Sequence, residues 1–217
     1  MKVTLRKKIL DKNDQAAMQN RGFFSKTGLL CINMISSPGS GKTTLLARTI
    51  QDLSSKLRIG VIEGDIKTDT DARKIRAAGA PAFQIETEGA CHLSAEQIKD
   101  ALKELPCAKL DVVVIENVGN LVCPSDFDLG ETVRVVVLSV PEGDDKPRKY
   151  PGSFSKADVV LVNKIDLLEH VDFDLDKVKR DIRRVNPESE VLTVSARTGA
   201  GMQDWYHWLQ ERQEQSA

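Results

Sequence analysis

Apolar residues in this chain gather in short runs that are separated by longer segments with helical periodicity. The run at residues 111–116 is rich in β-branched side chains, and such runs are typical of strands covered on both faces of a sheet. Comparable runs predict strands over residues 29–35, 58–63, 82–85, 111–116, 133–140, 158–162 and 190–194. The segments between them predict helices over residues 44–50, 71–78, 94–105, 174–185 and 202–211. This alternation predicts an α/β fold of three layers around a mostly parallel sheet.

Two segments do not follow this alternation. Residues 1–26 are charged, with scattered apolar positions, and Gly28 follows as a helix-ending residue. We therefore predict an N-terminal helical arm over residues 1–26 and a main domain over residues 27–217. The weak amphipathic pattern leaves open whether the arm packs across the domain or docks a partner. The polar stretch 141–151 is expected to form a mobile loop.

The junction between the first predicted strand and its helix carries the sequence SSPGSGKT at residues 36–43. A strand, a glycine-bearing turn and a helix form the context of a phosphate-binding loop, in which backbone N–H groups and the helix N-terminus hold phosphate oxygens. Lys42 is expected to reach the β- and γ-phosphates, and Thr43 to bind Mg²⁺ through its hydroxyl. Ser36 stands where the full pattern has glycine, so a serine-rich surface loop remains an alternative. The residues expected to contact the nucleotide here are Gly39, Ser40, Gly41, Lys42, Thr43 and Thr44.

A second motif, Asn163-Lys164-Ile165-Asp166, follows another buried strand. The Asp166 carboxylate can accept hydrogen bonds from both guanine N1–H and the exocyclic amine, which adenine does not offer in that geometry. Lys164 can lie along the base plane with its aliphatic stem. Ser195 and Ala196, after the last strand, are expected to present a backbone N–H to the base. Together with the phosphate loop, this order predicts a P-loop GTPase domain, although a capping aspartate at a turn is the simpler alternative.

Two carboxylates at predicted strand ends are candidates for Mg²⁺ binding and for ordering the attacking water. Asp65 is the first candidate and Glu116 the second. Gly119 follows Glu116 and is expected to contact the γ-phosphate through its N–H. Asn120 comes next, so the glutamine that positions water in Ras-like proteins is missing from that place. Either carboxylate could instead cap a turn.

Cys91, His92 and Cys123 lie in loops that should leave the same edge of the sheet. Thiolate and imidazole ligands suit Zn²⁺, Ni²⁺ and copper ions. Because one chain supplies three ligands, the site is either open or half of a shared site in a dimer. The spacing alone leaves metal binding undecided, since the chain has no Cys-x-x-Cys pair. Cys31 is expected to be a core residue.

Composition narrows the classes of partner. The net charge is −1, which does not favour a nucleic-acid-binding surface. No apolar run approaches the length of a membrane helix, and the N-terminus has no apolar signal core. We therefore expect a cytoplasmic protein with reduced cysteines and with neither nucleic acid nor membrane among its partners.

Several of these strings together resemble the hydrogenase nickel-incorporation GTPase, the HypB family. They are SSPGSGKTT at 36–44, IEGD at 62–65, GACHL at 89–93, IENVGNLVCP at 115–124 and NKID at 163–166. The resemblance implies a dimeric GTPase that helps deliver Ni²⁺ to [NiFe]-hydrogenase large-subunit precursors and works with a small nickel-chaperone protein. It also implies that Cys91, His92 and Cys123 bind Ni²⁺ or Zn²⁺. Residues 1–30 contain neither cysteine nor histidine, which puts in doubt the N-terminal nickel site that many members carry.

Three alternatives remain at the level of the sequence. The urease nickel-insertion GTPase shares the phosphate loop and the guanine motif, but it should carry Cys-Pro-His where this chain has Cys91-His92. The protein could also be a metal-binding scaffold in which GTP is structural. A small-molecule kinase is the third, which the guanine motif disfavours.

Overall fold

The computed structural model of the protein describes residues 2–65, 69–87 and 89–217, with side chains from Leu10 onward. Seven strands form one sheet in the order β3-β2-β4-β1-β5-β6-β7. Their bounds are β1 (Leu30–Ser36), β2 (Ile59–Asp65), β3 (Ala82–Glu86), β4 (Val112–Glu116), β5 (Val133–Ser139), β6 (Val159–Asn163) and β7 (Glu190–Thr193). Every neighbouring pair is parallel, so the sheet is fully rather than mostly parallel in the described part of the chain.

Eight helices of the described chain flank this sheet. They are α1 (Lys2–Thr27), α2 (Lys42–Leu53), α3 (Thr70–Ala77), α4 (Ala95–Glu104), α5 (Lys146–Lys149), α6 (Pro151–Phe154), α7 (Leu175–Val185) and α8 (Met202–Ser216). Helices α2, α3 and α8 cover one face of the sheet, and α1, α4, α6 and α7 cover the other. The strands therefore need apolar side chains on both faces, which explains their near-continuous apolar runs.

Polar side chains dock α1 onto the rest of the chain. Asn20 Nδ2 donates to the carbonyls of Ala95 at 2.8 Å and Leu129 at 2.9 Å, and Asn13 Oδ1 accepts from Ala95 N at 2.9 Å. A Cβ on Gly130 would lie 2.3 Å from the Ala17 carbonyl oxygen, so glycine permits the close approach. These contacts hold α1 against the start of α4 and the segment before β5. The division of the chain into an arm and a main domain stays a prediction.

The stretch 141–151, expected to form a mobile loop, is largely helical. A 3-10 turn, Val140–Glu142, is followed there by α5 and the start of α6. Ser139 caps the turn, since its N–H and hydroxyl both donate to Glu142 Oε1, at 2.9 and 2.6 Å. Pro147 is buried and fixes the first turn of α5.

The other elements agree with the predicted ones to within a few residues. The strands β1, β2, β4 and β6 begin one residue later than predicted and extend to the polar residue at their carboxyl ends. Helix α8 continues to Ser216, beyond the predicted end at residue 211. The capping box of Ser94 and Gln97 is present at α4. Within the described residues, no helix has the length and apolar character that crossing a bilayer requires.

Candidate nucleotide and metal site

The phosphate-binding loop connects the end of β1 to the start of α2, as the sequence predicts. Gly39 and Gly41 have φ values of 75° and 95°, which glycine adopts without strain. Lys42 Nζ donates to Ser36 Oγ at 2.8 Å, so the serine that departs from the full glycine pattern holds the loop lysine. A cavity of about 520 Å³ lies over the loop and the carboxyl ends of β2 and β4. Its lining includes Gly39, Ser40, Gly41, Lys42, Thr43, Thr44, Asp65, Glu116 and Gly119.

Glu116 contacts the loop directly. Its Oε1 accepts from Thr43 Oγ1 at 2.8 Å and lies 4.0 Å from Lys42 Nζ. Burial raises the pKa of Glu116, against the opposing charge of Lys42. Glu116 Oε2 is buried and makes no hydrogen bond within the described residues. A buried carboxylate oxygen beside a threonine hydroxyl is a fitting donor set for Mg²⁺.

Glu63 also belongs to this cavity, although the sequence reading missed it. It pairs in register with Glu116 across β2 and β4 and is 2 % exposed. Burial and the neighbouring Glu116 raise the pKa of Glu63 to about 10, so Glu63 holds its proton at neutral pH. A signal was present in the sequence, because both strands carry an Ile-Glu pair, at the end of β4 and two residues before the end of β2. Asp71 and Lys74 of α3 also line this cavity and form an ion pair at 2.9 Å. The sequence analysis does not predict these two residues either.

The guanine motif lines a second cavity of about 240 Å³ beside Gly41 and Thr44, with Asn163, Lys164, Asp166, Leu167, Ala196 and Arg197 on its walls. Asn163 links three loops, because its Nδ2 donates to Ser40 O at 2.9 Å and its Oδ1 accepts from Ala196 N at 3.2 Å. Lys164 Nζ donates to Gly39 O at 2.7 Å. Ser195 Oγ donates to Asp166 Oδ1 at 2.6 Å and orients that carboxylate.

The residues after β7 have partners of their own in the structure. The N–H of Ser195 donates to Ala200 O at 2.8 Å, and the N–H of Ala196 donates to Asn163 Oδ1 at 3.2 Å. Their contact with a base stays a prediction.

Cys91, His92 and Cys123 come together as the sequence predicts. One ligand atom from each lies within 4.8 Å of the others. The pKa of the Cys91 thiol is raised by its hydrogen bond with Cys123 and by burial. Burial lowers the pKa of His92, which favours the neutral imidazole that a metal needs. The His92 ring stacks on Phe127 with centroids 3.8 Å apart.

The remaining cysteines are separate from this cluster. Cys31 is fully buried in β1, as expected of a core residue, and Cys107 Sγ donates to Leu102 O at 3.3 Å. The loop that follows β4 connects the two sites, since it begins at Glu116 beside Thr43 and reaches Cys123. Asn120 in this loop donates through Nδ2 to Cys91 O at 3.4 Å.

Comparisons with known proteins agree with these sites. Residues 30–193 match the family described as CobW/HypB/UreG, nucleotide-binding domain. The hydrogenase maturation factor HypB of Rhizobium leguminosarum bv. viciae is 52% identical over 208 residues, covering 96% of this chain and 70% of that protein. The protein of the same name from Escherichia coli K12 is 50% identical over 202 residues, covering 93% and 70%. The hydrogenase/urease maturation factor HypB of Helicobacter pylori 26695 is 42% identical over 218 residues, covering 99% and 89%.

Solved structures give the same result. The structure of HypB from Helicobacter pylori in complex with nickel superposes with a TM-score of 0.90 at 41% identity, covering 94% of this chain and 96% of that one. HypB from Archaeoglobus fulgidus superposes with a TM-score of 0.88 at 39% identity, covering 94% and 100%. On its motifs, its fold and these relatives, the chain belongs to the HypB family within the CobW/HypB/UreG group of nucleotide-binding domains.

Proposed function

We propose that the protein is a GTP-hydrolysing metallochaperone of the cytoplasm that helps insert nickel into [NiFe]-hydrogenase precursors. The observation that carries this proposal is the loop after β4. It starts at Glu116, which accepts a hydrogen bond from Thr43 of the phosphate loop, and it contains Cys123 of the metal cluster. One short segment thus serves a nucleotide site and a metal site. The names of the relatives, which are hydrogenase maturation factors, supply the target.

Within the phosphate site, Lys42 stabilises the charge that develops on the transferred phosphoryl group. Thr43, Asp65 and Glu116 would hold Mg²⁺. When bound, the ion would neutralise negative charge on the phosphates. Asp65 lines the cavity and is our first candidate for ordering the attacking water, with Glu116 the second. Gly119 presents its N–H to the γ-phosphate.

Intrinsic hydrolysis is expected to be slow. Asn120, which follows Gly119 where Ras-like proteins have glutamine, directs its amide elsewhere. Its Oδ1 accepts from Val122 N at 2.8 Å, and its Nδ2 donates to the Cys91 carbonyl. The Asn120 side chain therefore holds the loops of the metal ligands and is not directed at an attacking water. The turnover number should be of order 10⁻⁴ to 10⁻² s⁻¹, as for unassisted switch GTPases.

Guanine selectivity is assigned to Asp166. Its carboxylate lines the base cavity and is oriented by Ser195. Ala196 acts through Asn163, and the Lys164 stem borders the same cavity.

The metal cluster supplies two thiols and one imidazole, which suit Ni²⁺ and Zn²⁺. Three ligands leave a coordination position open, and two chains related by a two-fold axis could complete the geometry. We propose that GTP favours this homodimer and that hydrolysis releases the metal. The other partners are a small nickel-chaperone protein and the hydrogenase large-subunit precursor.

The test combines three measurements on the purified protein in its apo, GDP and GTP-analogue forms. Mass and bound metal are determined for each form, and steady-state GTP hydrolysis is followed with and without Ni²⁺. We expect one metal per chain at most, a larger dimer fraction with the analogue, and slow turnover that is specific for GTP. No hydrolysis with full metal binding would favour the scaffold alternative, in which GTP is structural.

A second target is favoured by one relative. The Helicobacter pylori protein is named a hydrogenase/urease maturation factor. The sites described above do not distinguish the two targets. Transfer of ⁶³Ni from the loaded protein to a purified hydrogenase precursor or to apo-urease would decide between them.

A further inference from the structure

Asn117 follows directly after Glu116 and places one amide oxygen between two loops. Its side chain is buried, with the residue 2% exposed. Asn117 Oδ1 accepts from the N–H of Val118 at 3.0 Å and from the N–H of Leu93 at 3.3 Å. Val118 precedes Gly119 of the phosphate-facing loop, whereas Leu93 follows the metal ligand His92. A single buried group therefore bridges the segments that carry the two functions.

The other hydrogen bonds of Asn117 attach this bridge to the sheet. The backbone N–H of Asn117 donates to Met34 O of β1 at 3.0 Å. Its Nδ2 donates to Asn33 Oδ1 at 3.1 Å, and Asn33 Nδ2 donates to Glu131 Oε1 at 3.1 Å. Arg134 Nε donates to the same Glu131 Oε1 at 3.0 Å and ends this chain of hydrogen bonds.

This chain of hydrogen bonds has one direction. Rotating either amide by half a turn would place donor against donor or acceptor against acceptor at a buried position. Asn117 is thus held in one orientation, and its oxygen stays pointed at the two loops.

Both ends of the bridge are packed tightly. A Cβ on Gly119 would lie 2.9 Å from Pro38 Cα, so the segment 118–119 touches the phosphate loop. A Cβ on Gly64 would lie 2.8 Å from Leu93 Cδ1, so Leu93 touches the end of β2 next to Asp65. Close packing of this kind transmits small displacements, because neither end has free space to absorb them.

We propose that Asn117 is the positioning residue that couples the nucleotide state to the geometry of the metal ligands. A shift of the 118–119 backbone toward a γ-phosphate alters the Val118 N–H contact with Oδ1. Because Oδ1 is shared, losing or weakening the Val118 contact changes its hydrogen bond to the Leu93 N–H, and with it the position of the adjoining His92 and Cys91. This inference rests on the proposed function, because it assumes nucleotide-linked metal binding by the Cys91, His92 and Cys123 ligands.

The test measures linkage in both directions. Zn²⁺ and Ni²⁺ affinities are determined in the GDP and GTP-analogue states, and the affinities for both nucleotides are determined with and without metal. In the unmodified protein the two ratios must be equal, and typical coupling is about 5- to 150-fold. We expect Asn117→Ala to reduce both ratios below about twofold, since typical coupling is far larger than that.

Asn186→Ala is the matched control. It removes an amide whose Nδ2 donates to Ala157 O at 3.0 Å and whose Oδ1 accepts from Glu188 N at 3.1 Å, outside both loops. We expect this variant to keep at least half of the coupling ratio. A coupling ratio in Asn117→Ala equal to that of the unmodified protein would overturn the inference and leave the proposed function intact. A ratio of one in the unmodified protein would contradict the nucleotide–metal linkage of the proposed function itself.

Hydrogen exchange in the unmodified protein tests the same point if Asn117→Ala fails to fold. Replacing GDP with the GTP analogue should change the protection of peptides spanning residues 117–120 and 91–95 together. A change in 117–120 alone, with 91–95 unaffected, would overturn the inference.

Discussion

The base-binding side and the phosphate-binding side of the cleft differ in whether their buried polar atoms have hydrogen-bond partners within the protein. On the base side, the polar groups hold one another: Asn163 bonds Ser40 and Ala196, and Ser195 bonds Asp166. On the phosphate side, Glu63 Oε1 and Glu116 Oε2 are buried without a hydrogen bond in the described chain. Buried polar atoms of this kind are costly, so a ligand that satisfies them gains free energy.

The difference separates two tasks. On the proposed function, the base side is already arranged for guanine and should need little change on binding, which would favour selectivity. The phosphate side has carboxyl groups whose pKa values are raised by burial, and a cation with phosphate would complete it. Because the ligand would supply the missing partners of these groups, the structure of the phosphate side is expected to depend on which ligand is bound. The loop that leads to Cys123 begins on this second side.

The largest effect is expected on the phosphate side. Lys42→Ala removes the cation aimed at developing phosphoryl charge, and it also leaves Glu116 without its opposing charge. GTP turnover should fall by about 10²- to 10³-fold, the range for removing one transition-state donor. Single-turnover kinetics at saturating GTP measure this effect directly. Turnover equal to that of the unmodified protein would rule out the phosphate-loop assignment.

Loss of a metal ligand is the next effect. Cys123→Ala leaves Cys91 and His92 as the remaining ligands of the cluster. Metal affinity in the GTP-analogue form should fall by at least about 100-fold, since even outer-shell partners are worth about 10- to 100-fold. GDP affinity should stay within about threefold, or about 0.7 kcal/mol. Equilibrium dialysis with Zn²⁺ measures the metal, and Cys107→Ala is the matched control, because that thiol lies outside the cluster.

The base side is expected to give a smaller loss. Asp166→Ala removes the guanine acceptor and leaves the Ser195 hydroxyl without its partner. GTP affinity should weaken by about 2–3 kcal/mol, roughly 30- to 150-fold, as for removal of a hydrogen bond to a charged group. ATP affinity should change little. Competition titrations with both nucleotides test this, and equal competition by ATP in the unmodified protein would contradict the guanine assignment.

The sequence predicts the parts of this site that lie within one motif. The phosphate loop, the NKID string and the Cys-His pair each bring their residues together over a few positions, so local reasoning suffices. The expected separation of Cys31 from the metal cluster follows in the same way from its place in an apolar strand.

The missed residues depend on which strands are neighbours. Glu63 faces Glu116 because β2 pairs with β4, and Asn33 meets Asn117 because β4 pairs with β1. No local pattern states that order. The segment 141–151 differs from its prediction for another reason. Its polar composition favours a loop, whereas Ser139 and Glu142 form a local capping box that starts a helical turn.

The last prediction concerns the proton that Glu63 keeps in the folded protein. Glu63 keeps its proton in the folded protein, with a pKa raised to about 10, whereas the unfolded chain loses that proton above an ordinary value near 4.5. The folded state therefore binds more protons between these two values, and the free energy of unfolding of the unmodified protein should fall as pH rises from 6 to 8. Glu63→Gln keeps a neutral hydrogen-bonding group and removes this titration. Its stability should consequently rise relative to the unmodified protein over that window, and its affinity for GDP with Mg²⁺ should change by less than about threefold, or about 0.7 kcal/mol. Thermal unfolding at pH 6 and pH 8, with isothermal titration at pH 7, measures both quantities. Glu116→Gln is the informative contrast, because it replaces the carboxyl group beside Lys42 and Thr43, and it should weaken Mg²⁺-dependent nucleotide binding more than Glu63→Gln does. If Glu63→Gln showed the same pH dependence of unfolding as the unmodified protein, the proton would not reside on Glu63, and this prediction would be wrong.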